Sequence, residues 1–311
     1  MGSNEEGPPP DNSALVFFFI FATFAMISTL FVLIHIGKTQ NLKDVRIMLL
    51  LFLHGTVLVE EFATLPIFAG NEGMCELMAW LRFYTGFSNI LVVFFISFHQ
   101  FCFLNFENHS NEIIIFLQKY VAYITFGFPF ILTLLPFSTH SYGESNRIWC
   151  TLPLQNETAN NWAIGIFYSW GMLFLVASFI QLCYTMGLIF KFHLSLKRRL
   201  FLSVGAYIFI ALICWLPRII ASMVHAGVDY DASNRVVLNM SFTLYVSGFL
   251  YCIVYVLDVW FLFKDRAKSA MDALPVDSFE IQAHNLENIL GIELGSAENS
   301  RSNPIHNNDQ S

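Results

Sequence analysis

Charged residues lie within the long apolar stretches of this chain, among them Glu60, Glu61, Arg82 and Arg218. An ionisable side chain inside a membrane-length segment is costly, so it marks either a functional site or an internally paired one. Arginine carries a planar fork of donors that matches carboxylate and phosphate groups. Cys75, Arg82 and Asn89 recur at intervals of seven, nearly two helical turns, and therefore share a helix face. Arg82 lies about 10 Å along that helix from Cys75, and Arg218 is about 9 Å from the outer end of its own segment. Glu60 and Glu61 lie at about 12–14 Å. Trp215 precedes Pro217 in the same segment as Arg218, and Ser241 and Tyr245 begin a small and polar stripe further on. Two readings follow for this set. One is a structural ion-paired network, with the arginines snorkelling to the interface. The other is a polar ligand pocket suited to an anionic group, and the two are compatible.

The elements that hold these residues are set by composition. Of 311 residues 56% are hydrophobic and 13% charged, against about 25% in soluble domains. Mean hydropathy is +0.57. A soluble enzyme domain and a disordered chain are excluded, and a net charge of −7 leaves no basic surface for nucleic acid. The apolar blocks are long enough to cross a bilayer, which takes about 20 residues each. Seven spans are expected, over 14–36, 47–69, 75–104, 113–137, 162–190, 200–224 and 236–263. They must be helical, because open strands leave backbone groups unpaired in hydrocarbon. The expected fold is an all-α membrane protein, a seven-transmembrane helix bundle.

Lysine and arginine are unevenly divided among the connecting segments. With the N-terminus outside, ten fall on the cytosolic side, among them Lys197, Arg198 and Arg199, and two on the other. That asymmetry sets the orientation and puts the C-terminus in the cytosol. Residues 1–13 form an outer N-terminus without the basic region of a signal peptide, so the first span is expected to direct its own insertion. After the 14–263 bundle, Phe263, Ala267, Ala270, Met271 and Leu274 make an amphipathic helix over 264–274 suited to an anionic leaflet. The tail, 275–311, has the composition of a mostly disordered segment.

Cys75 and Cys150 both lie on the oxidising side in this orientation, which permits a disulfide across the mouth of the bundle. They are expected to be bonded, since no other cysteine is available there. Asn156 begins an Asn-Glu-Thr acceptor in the same outer loop. Pro217 is expected to kink its span. The stripe Ser241, Tyr245, Gly248, Cys252 and Tyr255 is expected to face other helices, with Ser241 and Tyr245 sharing in the pocket.

The whole pattern resembles the G-protein-coupled receptors, and among them the cyclic AMP receptor-like (class E) family. The matching residues are Gly127-x-Pro129, Trp149-Cys150, Cys214-Trp215, Ser247-Gly248-Phe249 and Cys75 heading the third span. The rhodopsin-like class is disfavoured. The third span ends in His99-Gln100-Phe101 rather than Asp-Arg-Tyr, and the seventh lacks Asn-Pro-x-x-Tyr. The resemblance implies a plasma-membrane receptor that binds a small extracellular ligand between the outer helix halves. Its partner would be a heterotrimeric G protein, contacted near Lys197, Arg198 and Arg199, with membrane lipids around the bundle. It implies no enzyme activity, no cofactor and no metal. The competing readings are a transporter, for which no internal repeat is visible, and a seven-helix zinc hydrolase built on His35, His54 and His99. A retinal pigment is ruled out, because the first lysine near the seventh span is Lys264, at its cytosolic end.

Overall fold

A computed structural model describes residues 12–39, 44–65, 71–105, 110–145, 149–152, 157–191, 205–217, 219–220, 243 and 245–260. The described elements are almost all helical: α1 (Asn12–Thr39), α2 (Val45–Ala63), α3 (Glu72–Asn105), α4 (Ser110–Ala122), α5 (Phe128–Leu134), α6 (Glu157–Trp162) and α7 (Ser169–Lys191). Two shorter apolar helices follow, α8 (Gly205–Pro217) and α9 (Tyr245–Trp260). Four stretches are long and apolar enough to cross a bilayer: Phe19–Lys38, Glu72–Cys102, Ile115–Thr139 and Glu157–Leu188. The coarse architecture is that of an all-α membrane protein. Residues 259–311 fall in a second unit, of which Val259 and Trp260 alone are described.

Each boundary has a local cause. The Asp44 carboxylate accepts the Arg46 backbone N–H at 2.8 Å and starts α2. The Asn71 side chain accepts from Met74 at 3.1 Å and starts α3. α2 stops at Ala63, six residues before the end of its apolar block, because Pro66 disfavours helix in the residue before it. Between α4 and α5 the chain widens into a π turn over Tyr123–Gly127. Pro129 explains it: proline lacks the N–H that would reach Thr125, and its ring crowds that carbonyl.

α3 is the central element and is buried along most of its length. It packs against α2 on one side and α7 on the other. α1 presents Ala22, Ala25, Thr29, Val32 and Ile36 to the bundle and Ile20, Phe24, Ile27, Phe31 and Ile34 outward. Small residues in the inward seam let backbones approach closely, as membrane helices require.

A two-stranded antiparallel hairpin, absent from the sequence reading, closes the Cys75 end. Its strands are β1 (Gly143–Ser145) and β2 (Trp149–Thr151), with Glu144 opposite Cys150. The chain enters it through His140 in the left-handed conformation (φ 48°). Tyr142 then plugs inward, donating its hydroxyl to the Thr133 carbonyl at 2.7 Å and packing on Phe83 and Phe137. Burial pushes that phenol well above its ordinary pKa, so it stays a donor. Cys75 and Cys150 are joined in a disulfide that ties β2 to α3 across 75 residues, with Cα atoms 5.0 Å apart. Closing a loop of that length is worth about 4 kcal/mol in the chain-entropy model. Cys75→Ser or Cys150→Ser should therefore lower the melting temperature of the detergent-solubilised protein, and the double variant should be no worse than either single. Additive losses would contradict the bond.

Candidate functional site

The candidate site is a layer of buried polar residues toward the Cys75 end, and it is organised by α2. Glu60 and Glu61 occupy its last turn, 3% and 2% exposed. Consecutive positions on a helix diverge by about 100°. The two carboxylates therefore leave α2 toward different neighbours.

Glu60 meets α3 and α8. A methyl group built on Gly86 would lie 3.1 Å from the Glu60 carboxylate oxygen, 2.9 Å from the tip of the Trp215 indole and 3.4 Å from Phe167. Gly86 is thus the floor on which Glu60 and Trp215 converge. It is one turn beyond Arg82, on the same face, and about 16 Å along α3 from Cys75. Glu61 turns instead toward α1 and α9. Its carboxylate lies against the backbone of Gly248, where a Cβ would collide with it and also come within 3.0 Å of Val57. The Thr29 hydroxyl is its polar neighbour from α1.

Tyr245 joins the two halves. It is fully buried, its hydroxyl donates to the Glu61 backbone carbonyl at 3.4 Å, and it feels the charges of Arg82, Glu61 and Glu60. Arg82 and Asn89 are buried on the Cys75 face of α3, as their spacing implies. Six of the residues singled out from sequence (Glu60, Glu61, Arg82, Asn89, Trp215 and Tyr245) are therefore interior. Of these, Glu60, Glu61, Arg82 and Tyr245 share one layer, with Trp215 against Glu60. Arg218, Ser241, Asn156, Lys197, Arg198 and Arg199 lie outside the described residues, as do the 264–274 helix and the tail.

A second polar layer escaped the sequence reading. About 20 Å along α2 from Glu60, the Arg46 guanidinium meets Asp258 of α9 at 2.6 Å. One turn before Asp258, the Tyr255 hydroxyl is hydrogen-bonded at 2.8 Å to Nδ1 of His35 on α1. Between the layers lie three fully buried residues, His54, Tyr207 and Tyr251. The Tyr207 and Tyr251 rings stack at 5.8 Å, and His54 sets its edge on Tyr255. Asp258 belonged to an expected span and was the charge that could have flagged this layer. Tyr207 and Tyr251 carried no such flag.

Among the described residues no group of three or more His, Cys, Asp or Glu is arranged to hold a metal ion. An apolar groove of about 410 Å³ runs between α1 and α9, lined by residues such as Ile27, Phe31, Phe249 and Ile253. It contains none of the polar candidates. No known protein family and no curated protein matches the chain.

Two glycines are thus filled spaces. Gly248→Ala should destabilise by about 1–3 kcal/mol, the usual range for overpacking. Gly86→Ala should cost less, since the Trp215 tip can give way. Thermal melts of both variants in detergent check the order, and equal, negligible shifts would mean that the carboxylates lie elsewhere.

Proposed function

We propose that this protein is a seven-transmembrane G-protein-coupled receptor, similar to the cyclic AMP receptor-like family, with its Cys75 end outside the plasma membrane. The observation that carries this reading is the meeting of Trp215 with Glu60 over Gly86. Trp215 stands two residues before Pro217, on the helix whose backbone is weakened by proline. A helix of that kind, touching a buried charge layer at one depth and a second layer further down, is suited to report occupancy at one end to the other. A disulfide-pinned hairpin at the first end and the excess of lysine and arginine at the second agree with the same orientation.

The ligand expected from this chemistry is small and carries an anionic group. Arg82 is the donor on the inward face of α3, and Arg218, directly after Pro217, is the donor proposed from α8. A ligand bridging them has different affinity for two helix arrangements, which is what switching requires. In the empty protein Glu60, which faces α3 and α8, is proposed to balance the positive charge that the ligand would take over; Glu61, expected to share that role, faces α1 and α9 instead. Asn89, Ser241 and Tyr245 complete the proposed pocket, and Asn156 is a proposed glycan site. At the other end Lys197, Arg198 and Arg199 are proposed to face the heterotrimeric G protein.

A transporter is the second reading, favoured by the fully buried His54, Tyr207 and Tyr251 that lie between the two polar layers. Ion or substrate flux by the purified protein in sealed vesicles would identify it.

Arg82→Ala and Arg218→Ala should each weaken agonist potency by at least about tenfold, roughly 1.4 kcal/mol. Lysine should rescue only in part, lacking the bidentate fork. Dose–response curves at matched surface expression check this, and unchanged potency in both alanine variants would make the arginines structural. Replacing Lys197, Arg198 and Arg199 together with Ala should lower G-protein activation while leaving surface ligand binding intact. Unchanged nucleotide exchange would assign those residues to orientation alone.

A further inference from the structure

Lys119 is a cation on an apolar, bilayer-length stretch that neither polar layer uses. It lies four residues inside the Ile115–Thr139 stretch, exposed on the outside of the bundle, and about 6 Å from the end of that stretch. Helical side chains lean toward the helix N-terminus, which here is the near end, so the ammonium reaches back to the interface. Its setting is ordered. The Lys119 Nζ stands 5.0 Å from the centroid of the Tyr120 ring, and Tyr120 leans on Phe116 one turn back, with ring centroids 5.0 Å apart. Lys119 forms no ion pair with a described residue. A cation held over an aromatic ring, open on its outer side and without a protein anion, is arranged for an anion from outside the chain.

The same face continues inward as a stripe. Lys119, Tyr123, Gly127 and Ile131 follow at intervals of four and are all exposed, Tyr123 at 75% and Ile131 at 65%. In a plain α-helix each four-residue step drifts about 40° around the axis, so such a stripe would wind away. The π turn over Tyr123–Gly127 takes more residues per revolution and turns the drift back. The inward face shows the same correction: Leu117, Val121, Thr125, Pro129 and Thr133, also four apart, are all buried. At Gly127 nothing lies within 4 Å of where a Cβ would stand, so the stripe has a dent one turn beyond Tyr123. From Lys119 to Ile131 the helix rises about 18 Å. Half of a bilayer's hydrocarbon core is about 15 Å. The stripe therefore has the length of one phospholipid in one leaflet.

We propose that Lys119, Tyr123, Gly127 and Ile131 form a binding site for a single anionic phospholipid. Lys119, held over Tyr120, takes the phosphate. The Tyr123 hydroxyl, leaning back toward the same end, donates to a glycerol ester carbonyl just deeper than the phosphate. An acyl chain then runs through the dent at Gly127 to Ile131. An anionic lipid fits better than phosphatidylcholine, whose own ammonium competes with Lys119 for the phosphate. The orientation proposed above makes this the cytosolic leaflet, where anionic lipid is concentrated. The site itself rests only on the helix crossing the membrane.

The test uses the full-length protein in phosphatidylcholine nanodiscs that contain a small share of a lipid with a photoreactive acyl chain, either phosphatidylserine or phosphatidylcholine. Crosslinks are mapped to residues 115–135 by mass spectrometry. In the native protein phosphatidylserine should label this stretch about fivefold more than phosphatidylcholine, the effect of one lysine on an anionic lipid. Lys119→Gln should bring that ratio below about twofold, and Lys119→Arg should keep at least about half of the preference. Labelling by phosphatidylcholine should be the same in all three proteins, so that a lost preference is a loss of headgroup recognition and not of fold. Equal labelling by the two lipids in the native protein, or a preference unchanged in Lys119→Gln, overturns the site. Both leaflets of the disc are alike, so the result does not depend on the orientation or on the receptor reading. A protein that activates no heterotrimer but keeps the Lys119-dependent preference retains the lipid site and loses the receptor reading.

Discussion

Two carboxylates on consecutive residues of one helix, both shut away from water, impose the central constraint on this bundle. Glu60 and Glu61 cannot share a partner, because successive helical positions point about 100° apart. Each needs its own wall in a medium where unpaired charge is very costly. Glu60 is received by α3 and α8, Glu61 by α1 and α9. A glycine stands at each: a Cβ at Gly248 would occupy the space of the Glu61 carboxylate, and one at Gly86 would crowd Glu60 and the Trp215 tip. Each of the helices α1, α3, α8 and α9 thus faces one of those two groups.

The bundle is chemically asymmetric as a result. The side made by α1, α2, α8 and α9 contains most of both polar layers and the tyrosine stack between them, with Arg82 and Asn89 added from α3. The side made by α3, α5 and α7 is aromatic: Phe87 packs against Phe128, Phe167 and Phe174, and Phe94 against Phe174. Edge-to-face and tilted contacts of this kind give dense, directional packing with nothing to exchange. Phe167 belongs to this aromatic side and also touches Trp215, at 5.9 Å between ring centroids. A closely packed aromatic half against a polar half gives two sides of different chemistry between which a two-position element can be built.

The sequence made the first layer legible because it used strong signals. Cys75, Arg82 and Asn89 share a heptad-spaced face, and charges inside apolar blocks stand out. The disulfide was legible from the orientation of the spans. What was hidden is the choice of receiving wall, since Gly86 and Gly248 act through the absence of a side chain. Tyr207 and Tyr251 read as ordinary apolar aromatics until their hydroxyls were placed. Asp258 lies close enough to the end of its block to pass for a boundary charge. The hairpin was hidden because strands of three residues carry no alternation that a pattern can detect, and the end of α2 was displaced by the single residue Pro66.

The receptor reading depends on contact with a heterotrimeric G protein, and a nucleotide-sensitive complex tests that without knowledge of the ligand. The purified protein in nanodiscs should hold at least one class of heterotrimer after enzymatic removal of guanine nucleotide, and release it on addition of a non-hydrolysable GTP analogue. Failure to hold any class, together with ion or substrate flux in sealed vesicles, would contradict the receptor reading and place the buried residues between the polar layers in a transport pathway.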